Sequence, residues 1–260
     1  LLAKDLDNNG SIDPMVFCYG KATDSSRKPF PMATKDDLSS QVVSMRKRFP
    51  SYASYGLATL NNIWRAEDLK DAVKLTATDM RSSFIENKGN GKFEIHPLPL
   101  QAQQAPVYGM LARDINGDGN LDLLMTGNDY GMEPFSGRHD AFIGLCLLGD
   151  GKGQFTPLSP AESGFFVDGD GKGMAVVHGG KNDLFIATQN QDSVMVFAEN
   201  PAVHKTMQWV SLHSDDFAAE ITWQDGHRQY MEFYYGSTFL SQSSRKIPVD
   251  AHIKKMVVTN

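Results

Sequence analysis

The stretch Arg113–Met125, "RDINGDGNLDLLM", sets Asp114, Asn116, Asp118 and Asp122 around two glycines. A second copy, "KDLDNNGSIDPMV", runs from Lys4 to Val16 with Asp5, Asp7, Asn9 and Asp13. Calcium is a hard cation that takes six to eight oxygens, and alternate residues of a tight loop can aim oxygens inward. The candidate ligands of the first loop are Asp5, Asp7, Asn9, the Ser11 carbonyl and Asp13. Those of the second are Asp114, Asn116, Asp118, the Asn120 carbonyl and Asp122. Gly10 and Gly119 hold the sixth position, where a sharp bend favours glycine. An EF-hand closes with a glutamate at position twelve between two helices. Here position twelve is Val16 or Met125, and both lie in apolar runs of strand character. The ninth-position aspartate closes the loop instead, and the spacing predicts two structural calcium sites between strands.

Beyond these loops, short strands dominate. "FIENKGNGKFEIHPL" reads as a hairpin turning at Gly89–Gly91, and "DAFIGLCLLGDGKGQFTPL" as one turning at Asp150–Gly153. Phe93 and Phe155 follow the two turns. "LDLLMTGN", "GMAVVHGG", "DLFIATQN" and "SVMVFAEN" are apolar runs of strand length, each ended by turn formers. "DGDGKGMAV", from Asp168, reads as a third copy of the loop, with Lys172 at the fifth position and Val176 at the ninth. An ammonium there repels a cation and can fill the site, so no metal is expected in it. Acidic loops and Gly-rich hairpins recur with a period of about 60 residues, the kind of period that radial four-stranded blades have.

The region from about 32 to 85 breaks this pattern and reads as a helical insertion. Thr34 is an N-cap with Asp37 in the first turn, and Leu38, Val42, Met45 and Phe49 make one apolar helix face. Arg46, Lys47 and Arg48 suit the helix C-terminus, and Pro50 stops it. "SYASYGLATLNNIW" and "AEDLKDAVKL" read as shorter helices.

The 260 residues suffice for one or two domains, and 41% hydrophobic with 22% charged residues is ordinary for a globular chain. A net charge of −6 argues against a nucleic-acid partner. No apolar run reaches the length of a membrane span. The start at Leu1-Leu2-Ala3, directly ahead of a loop, reads as a piece of a longer polypeptide, so the lack of a leader says nothing about compartment. Cys18 and Cys146 could form one disulfide, and two buried free thiols is the preferred reading.

No catalytic motif emerges. His96, His139, His178, His204, His213, His227 and His252 lack metal-ligand spacing, and neither a nucleophile elbow nor a phosphate-binding loop is present. "SGRHDA" groups Arg138, His139 and Asp140 on a loop, where Arg138 and Asp140 are expected to bond backbone or each other. "QYMEFYY" alternates Tyr230, Glu232 and Tyr234 against Met231, Phe233 and Tyr235, with packing favoured over ligand stacking.

The acidic loop ahead of an apolar strand, repeated with Gly-x-Gly-x-Phe hairpins, resembles the FG-GAP/VCBS repeat, which builds the calcium-binding propeller of integrin α-subunits. "ITWQDGHRQYMEFYYGSTFLSQSS" resembles the ASPIC/UnbV segment that follows such repeats. Together, Asp5 to about Ser244 is similar to the end of a large exported VCBS-repeat protein of the kind abundant in Bacteroidetes. The resemblance implies a mainly β fold: propeller-like blades over 1–199, forming a partial propeller, and a C-terminal β segment over 200–260. It also implies Ca2+ as a structural cofactor and a periplasmic or cell-surface location. The expected function is non-catalytic binding of a protein or carbohydrate ligand, alongside the remainder of the parent chain. The alternative is a part of a polysaccharide-acting enzyme.

Overall fold

The computed structural model describes residues 1–134, 136–178, 183–200, 208–249 and 252–260. The chain is mainly β and divides into two compact units, Leu1–Met80 and Arg81–Asn260. Among the described residues, no helix is long and apolar enough to cross a membrane.

In the first unit, strands Leu2–Lys4 and Asp13–Met15 pair antiparallel across the first acidic loop, and Val73–Lys74 adds to the other edge of Leu2–Lys4. A hairpin of Phe17–Lys21 and Arg27–Pro31 follows. Thr34 caps a helix, Lys35–Gln41, through a reciprocal capping box with Asp37. The apolar face is as expected: Leu38, Val42, Met45 and Phe49 are all buried, beside Tyr55, Ile63 and Trp64. One expected helix is two, however. Val42 takes extended backbone and a second helix restarts at Met45–Arg48. Burying all four side chains in one small core outweighs helical continuity across β-branched Val42 and Val43. Tyr52–Gly56 and Leu60–Ile63 form the next two short helices. "AEDLKDAVKL" does not become a helix. The Lys4 ammonium donates to the Asp68 and Lys70 carbonyls at 2.9 and 2.7 Å, Asp71 adopts φ 63°, and Val73–Lys74 leaves as a strand. Tertiary bonds there override a good helical composition.

The second unit is built around a four-stranded antiparallel meander, here termed the central sheet: Val107–Arg113, Asp122–Gly127, Leu145–Gly149 and Phe155–Leu158. Alternate residues serve its two faces. Leu111, Leu124 and Cys146 pack with Phe165, Val167, Met174, Val176 and Phe185 on one side. Met125, Leu145 and Leu147 pack with Leu98, Ala102 and Phe142 on the other. Burial on both faces explains why Asp122–Gly127 and Leu145–Gly149 read as nearly unbroken apolar runs. The flanking sheet, Gly171–His178, Asp183–Gln189 and Met195–Ala198, is a second antiparallel meander. The hairpin Ser83–Gly89/Lys92–Pro97 has the expected turn, with Asn90 and Gly91 at φ 53° and 71°.

The C-terminal segment contributes Gln208–Ser211 paired with Lys246–Val249, and Ala218–Trp223 between Arg228–Glu232 and Ile253–Thr259. Its loop, residues 236–244, clips onto the first strand of each meander. Thr238 Oγ1 accepts the Met110 N–H at 3.0 Å, Ser243 Oγ accepts the Val176 N–H at 3.0 Å, and the Ser244 N–H donates to the Val176 carbonyl at 2.9 Å. Both cysteines are free, but Cys18 is exposed rather than buried. It lies on a two-stranded hairpin where Tyr19 beside it is exposed as well, so both faces of the strand meet solvent there. Cys146 is buried, which pushes its thiol up to about 11.

Candidate metal centre

The two acidic loops occupy the same position, the connection between paired antiparallel strands, and fold alike. In each, the residue before the loop pairs with the ninth-position aspartate: Lys4 with Asp13, Arg113 with Asp122. The ninth-position carboxylate accepts the N–H of the second residue, Leu6 to Asp13 Oδ2 at 2.9 Å and Ile115 to Asp122 Oδ2 at 2.8 Å. The first carboxylate accepts the N–H of the sixth-position glycine, Gly10 to Asp5 and Gly119 to Asp114, both at 2.9 Å. Gly10 and Gly119 share φ 87°, the left-handed backbone that glycine adopts without steric cost. Position four is also left-handed in both, as Asn8 at φ 59° and Gly117 at φ 80°.

In the first loop these bonds gather the carboxylate oxygens on the inside of the turn, whereas Asp114, Asp118 and Asp122 of the second are not drawn into one such group. Asp5, Asp7 and Asp13 each present one oxygen within 4.8 Å of the others. In the second loop Asn116 donates to Asp118 at 3.0 Å, and Asp118 accepts the Asn120 N–H at 2.8 Å, which holds the Asp118 carboxyl below the usual range. Asp122 is fully buried, and both its oxygens are used, the second by the Gly149 N–H at 2.8 Å. Burial pushes its carboxyl above the usual range, with Asp118 and Asp114 adding to the rise. Among the described residues no cation pairs with Asp122, which lies beside two other carboxylates. The donors are carboxylate, amide and carbonyl oxygens with neither sulfur nor imidazole among the expected ligands, a set that suits a hard divalent cation such as Ca2+.

The stretch from Asp168 is a different element from the third copy that its sequence suggests. Asp168 and Asp170 lead into the first strand of the flanking sheet instead of joining its first two strands. The Lys172 ammonium lies 2.7 Å from Asp170 Oδ1, 3.0 Å from the Asn128 carbonyl and 4.0 Å from the Tyr108 ring centre. The flanking sheet's own connection runs from His178 to Asp183, which are cross-strand partners as Arg113 and Asp122 are. Asp183 thus stands where Asp122 stands, ahead of "LFIATQ" rather than "LLMTGN". Its carboxylate is met by the His178 imidazole at 2.5 Å and by the Arg113 guanidinium reaching over from the central sheet. Arg113 also pairs with Glu199 at 3.3 Å and stacks on Trp209, 4.9 Å from its ring centre. Sequence matching missed this equivalence because the connection keeps only its closing aspartate.

Of the other singled-out residues, His139 bridges to Asp129 through backbone, and Arg138 stacks 4.7 Å from the Tyr130 ring centre without pairing with Asp140. Arg228–Glu232 is a strand whose Tyr230 faces solvent and whose Met231 turns inward; Tyr234 and Tyr235 are also exposed. His204 lies outside the described residues. No protein-family model matches the chain, and neither a curated protein nor a solved structure shows significant similarity to it.

Proposed function

We propose that the protein is a calcium-stapled, extracytoplasmic recognition scaffold whose meanders are blades of a partial propeller and whose partner is a protein or a glycan. The observation carrying this reading is the identity of the two acidic loops: the same strand connection, the same closing bond from position nine to position two, and the same glycine φ. In the first loop three carboxylates also converge, which an Asx-rich turn without metal does not require. The central sheet, buried on both faces and flanked by a second meander, supports the blade description. Asp5, Asp7, Asn9, Ser11 and Asp13 would hold one ion, and Asp114, Asn116, Asp118, Asn120 and Asp122 the other. Calcium would supply the charge that the buried closing aspartates lack and would fix the loops.

Binding is favoured over the polysaccharide-cleaving alternative by the state of the buried carboxylates. Hydrolysis needs two free carboxyl groups facing a cleft, whereas Asp13, Asp122, Asp170 and Asp183 are each held by a backbone N–H or a cation. Melting in millimolar calcium against chelator tests the reading. Occupancy at tenfold excess over Kd adds about 1.4 kcal/mol per site, so the protein melts higher in calcium. Equal melting temperatures would reject calcium as a staple.

A further inference from the structure

At the ends of the meander strands opposite the aspartate-closed connections lies an open cleft of about 380 Å3, lined by Tyr130, Gly131, Arg138, Asp170, Asn190, Gln191 and Asp192. We propose that this cleft binds a neutral, hydroxyl-rich ligand, one sugar unit of a glycan chain. The inference rests on the recognition reading above and assigns it a place and a chemistry.

The cleft is preorganised. Asn128, fully buried two residues before Tyr130, donates to the Phe142 and Gly169 carbonyls at 2.7 and 2.8 Å and accepts the Phe142 N–H at 2.9 Å. Gln189 accepts the Gly169 N–H at 2.8 Å and donates to the Ser193 carbonyl at 2.9 Å, tying one wall to the other. Asp170 is buried, with Lys172 on one oxygen and the Asn190 amide on the other at 3.1 Å. Such bracing lowers the ordering cost that a ligand must offset.

The groups left for a ligand are specific. Arg138 is exposed, lies over the Tyr130 ring and makes no ion pair among the described residues, which leaves its guanidinium N–H groups open to a ligand. Asp192 uses one oxygen on the Ser193 N–H and keeps the other. Gln191, at the rim, holds φ 58°, a conformation that costs a non-glycine residue energy and concentrates at ligand sites. Charges balance: Lys172 compensates Asp170, and Arg138 and Asp192 carry opposite signs. A net-charged ligand gains little here. A hydroxyl group, which donates to a carboxylate while accepting from a guanidinium or amide, suits the mixed lining. The volume sits at the low end of small-ligand clefts, roughly 300–1,000 Å3, and the exposed rim leaves room for a chain to continue.

The test is retention on immobilised neutral and acidic polysaccharides in millimolar calcium, using the whole chain. Wild type should be retained on at least one neutral glycan. Arg138→Ala and the isosteric Asp192→Asn should each weaken retention at least tenfold with unchanged melting temperature. Arg228→Ala, an exposed cation on another sheet, should bind as wild type. Should Arg138→Ala fail to fold, Asp192→Asn decides alone. Retention only on acidic polysaccharides, no retention at all, or full retention by the variants would each overturn the inference. A calcium-dependent melting shift that persists in those cases confines the failure to the cleft and spares the scaffold reading.

Discussion

Asp122 and Asp183 occupy the same place in neighbouring meanders, yet their charges are met in different ways. Asp122 closes a nine-residue loop, accepts two backbone N–H bonds and has two further carboxylates beside it. Asp183 closes a connection that has lost its other acids, and it is met by the Arg113 guanidinium and the His178 imidazole. The register is shared: in both sheets an aspartate opens the second strand opposite the last residue of the first. The compensating cation is not. In the proposed reading one connection would take it from solution, whereas the other carries it on a side chain from the adjacent sheet. On that reading, divalent-ion dependence would be a property of each loop, not of the fold.

The most direct way to break this comparison is Arg113→Met. Asp183 is 4% exposed, and removing one partner of a buried pair costs about 3–5 kcal/mol. Urea unfolding should show that loss in calcium and in chelator alike, and a loss confined to chelator would refute the division of labour. Next in size is Asp122→Ala. It strands the Ile115 and Gly149 N–H groups, at about 1–3 kcal/mol each, and should abolish the calcium response of the second unit as well. Asp118→Ala is smaller and sharper. Asp118 is exposed, so unfolding in chelator should shift by no more than about 0.5 kcal/mol, while in calcium the variant loses that site's increment.

A pH series separates the ion from the turn. The folded carboxyl of Asp122 lies above its unfolded value, so its contribution is present at low pH and lost as pH rises through the folded pKa. In chelator, Asp122→Ala should therefore flatten a fall in stability on going from acidic to neutral pH. Calcium should reverse that slope in wild type, because the ion binds the ionised form. A wild-type slope that ignores calcium would show that the ion does not reach Asp122.

What was legible in the sequence follows the range of the interactions. The Thr34–Asp37 capping box, the buried set Leu38, Val42, Met45 and Phe49, and the hairpin at Asn90–Gly91 are local, and they could be read directly. The oxygen spacing of the two loops is also local. The break at Val42 was not legible, since it answers to packing with Ile63 and Trp64. Nor was the fate of "AEDLKDAVKL", which Lys4 recruits from 64 residues away. The strongest lesson is Asp168. "DGDGKG" looks more like a calcium loop than the segment ending at Asp183 does, yet strand pairing gives the equivalent position to Asp183. Motif letters identify chemistry, and register identifies place.

The clip of residues 236–244 bears on how the chain is made. Val107–Arg113 and Gly171–His178 are the edge strands of their sheets, and exposed edges invite pairing with other chains. Met110 receives its cover from Thr238, which leaves the ribosome 128 residues later. At a synthesis rate of about 5–20 residues per second, that edge stays open for roughly 6–26 s. Aggregation during expression should thus concentrate in that interval, and a chaperone that masks strand edges should raise the yield more than any stabilisation of the finished fold.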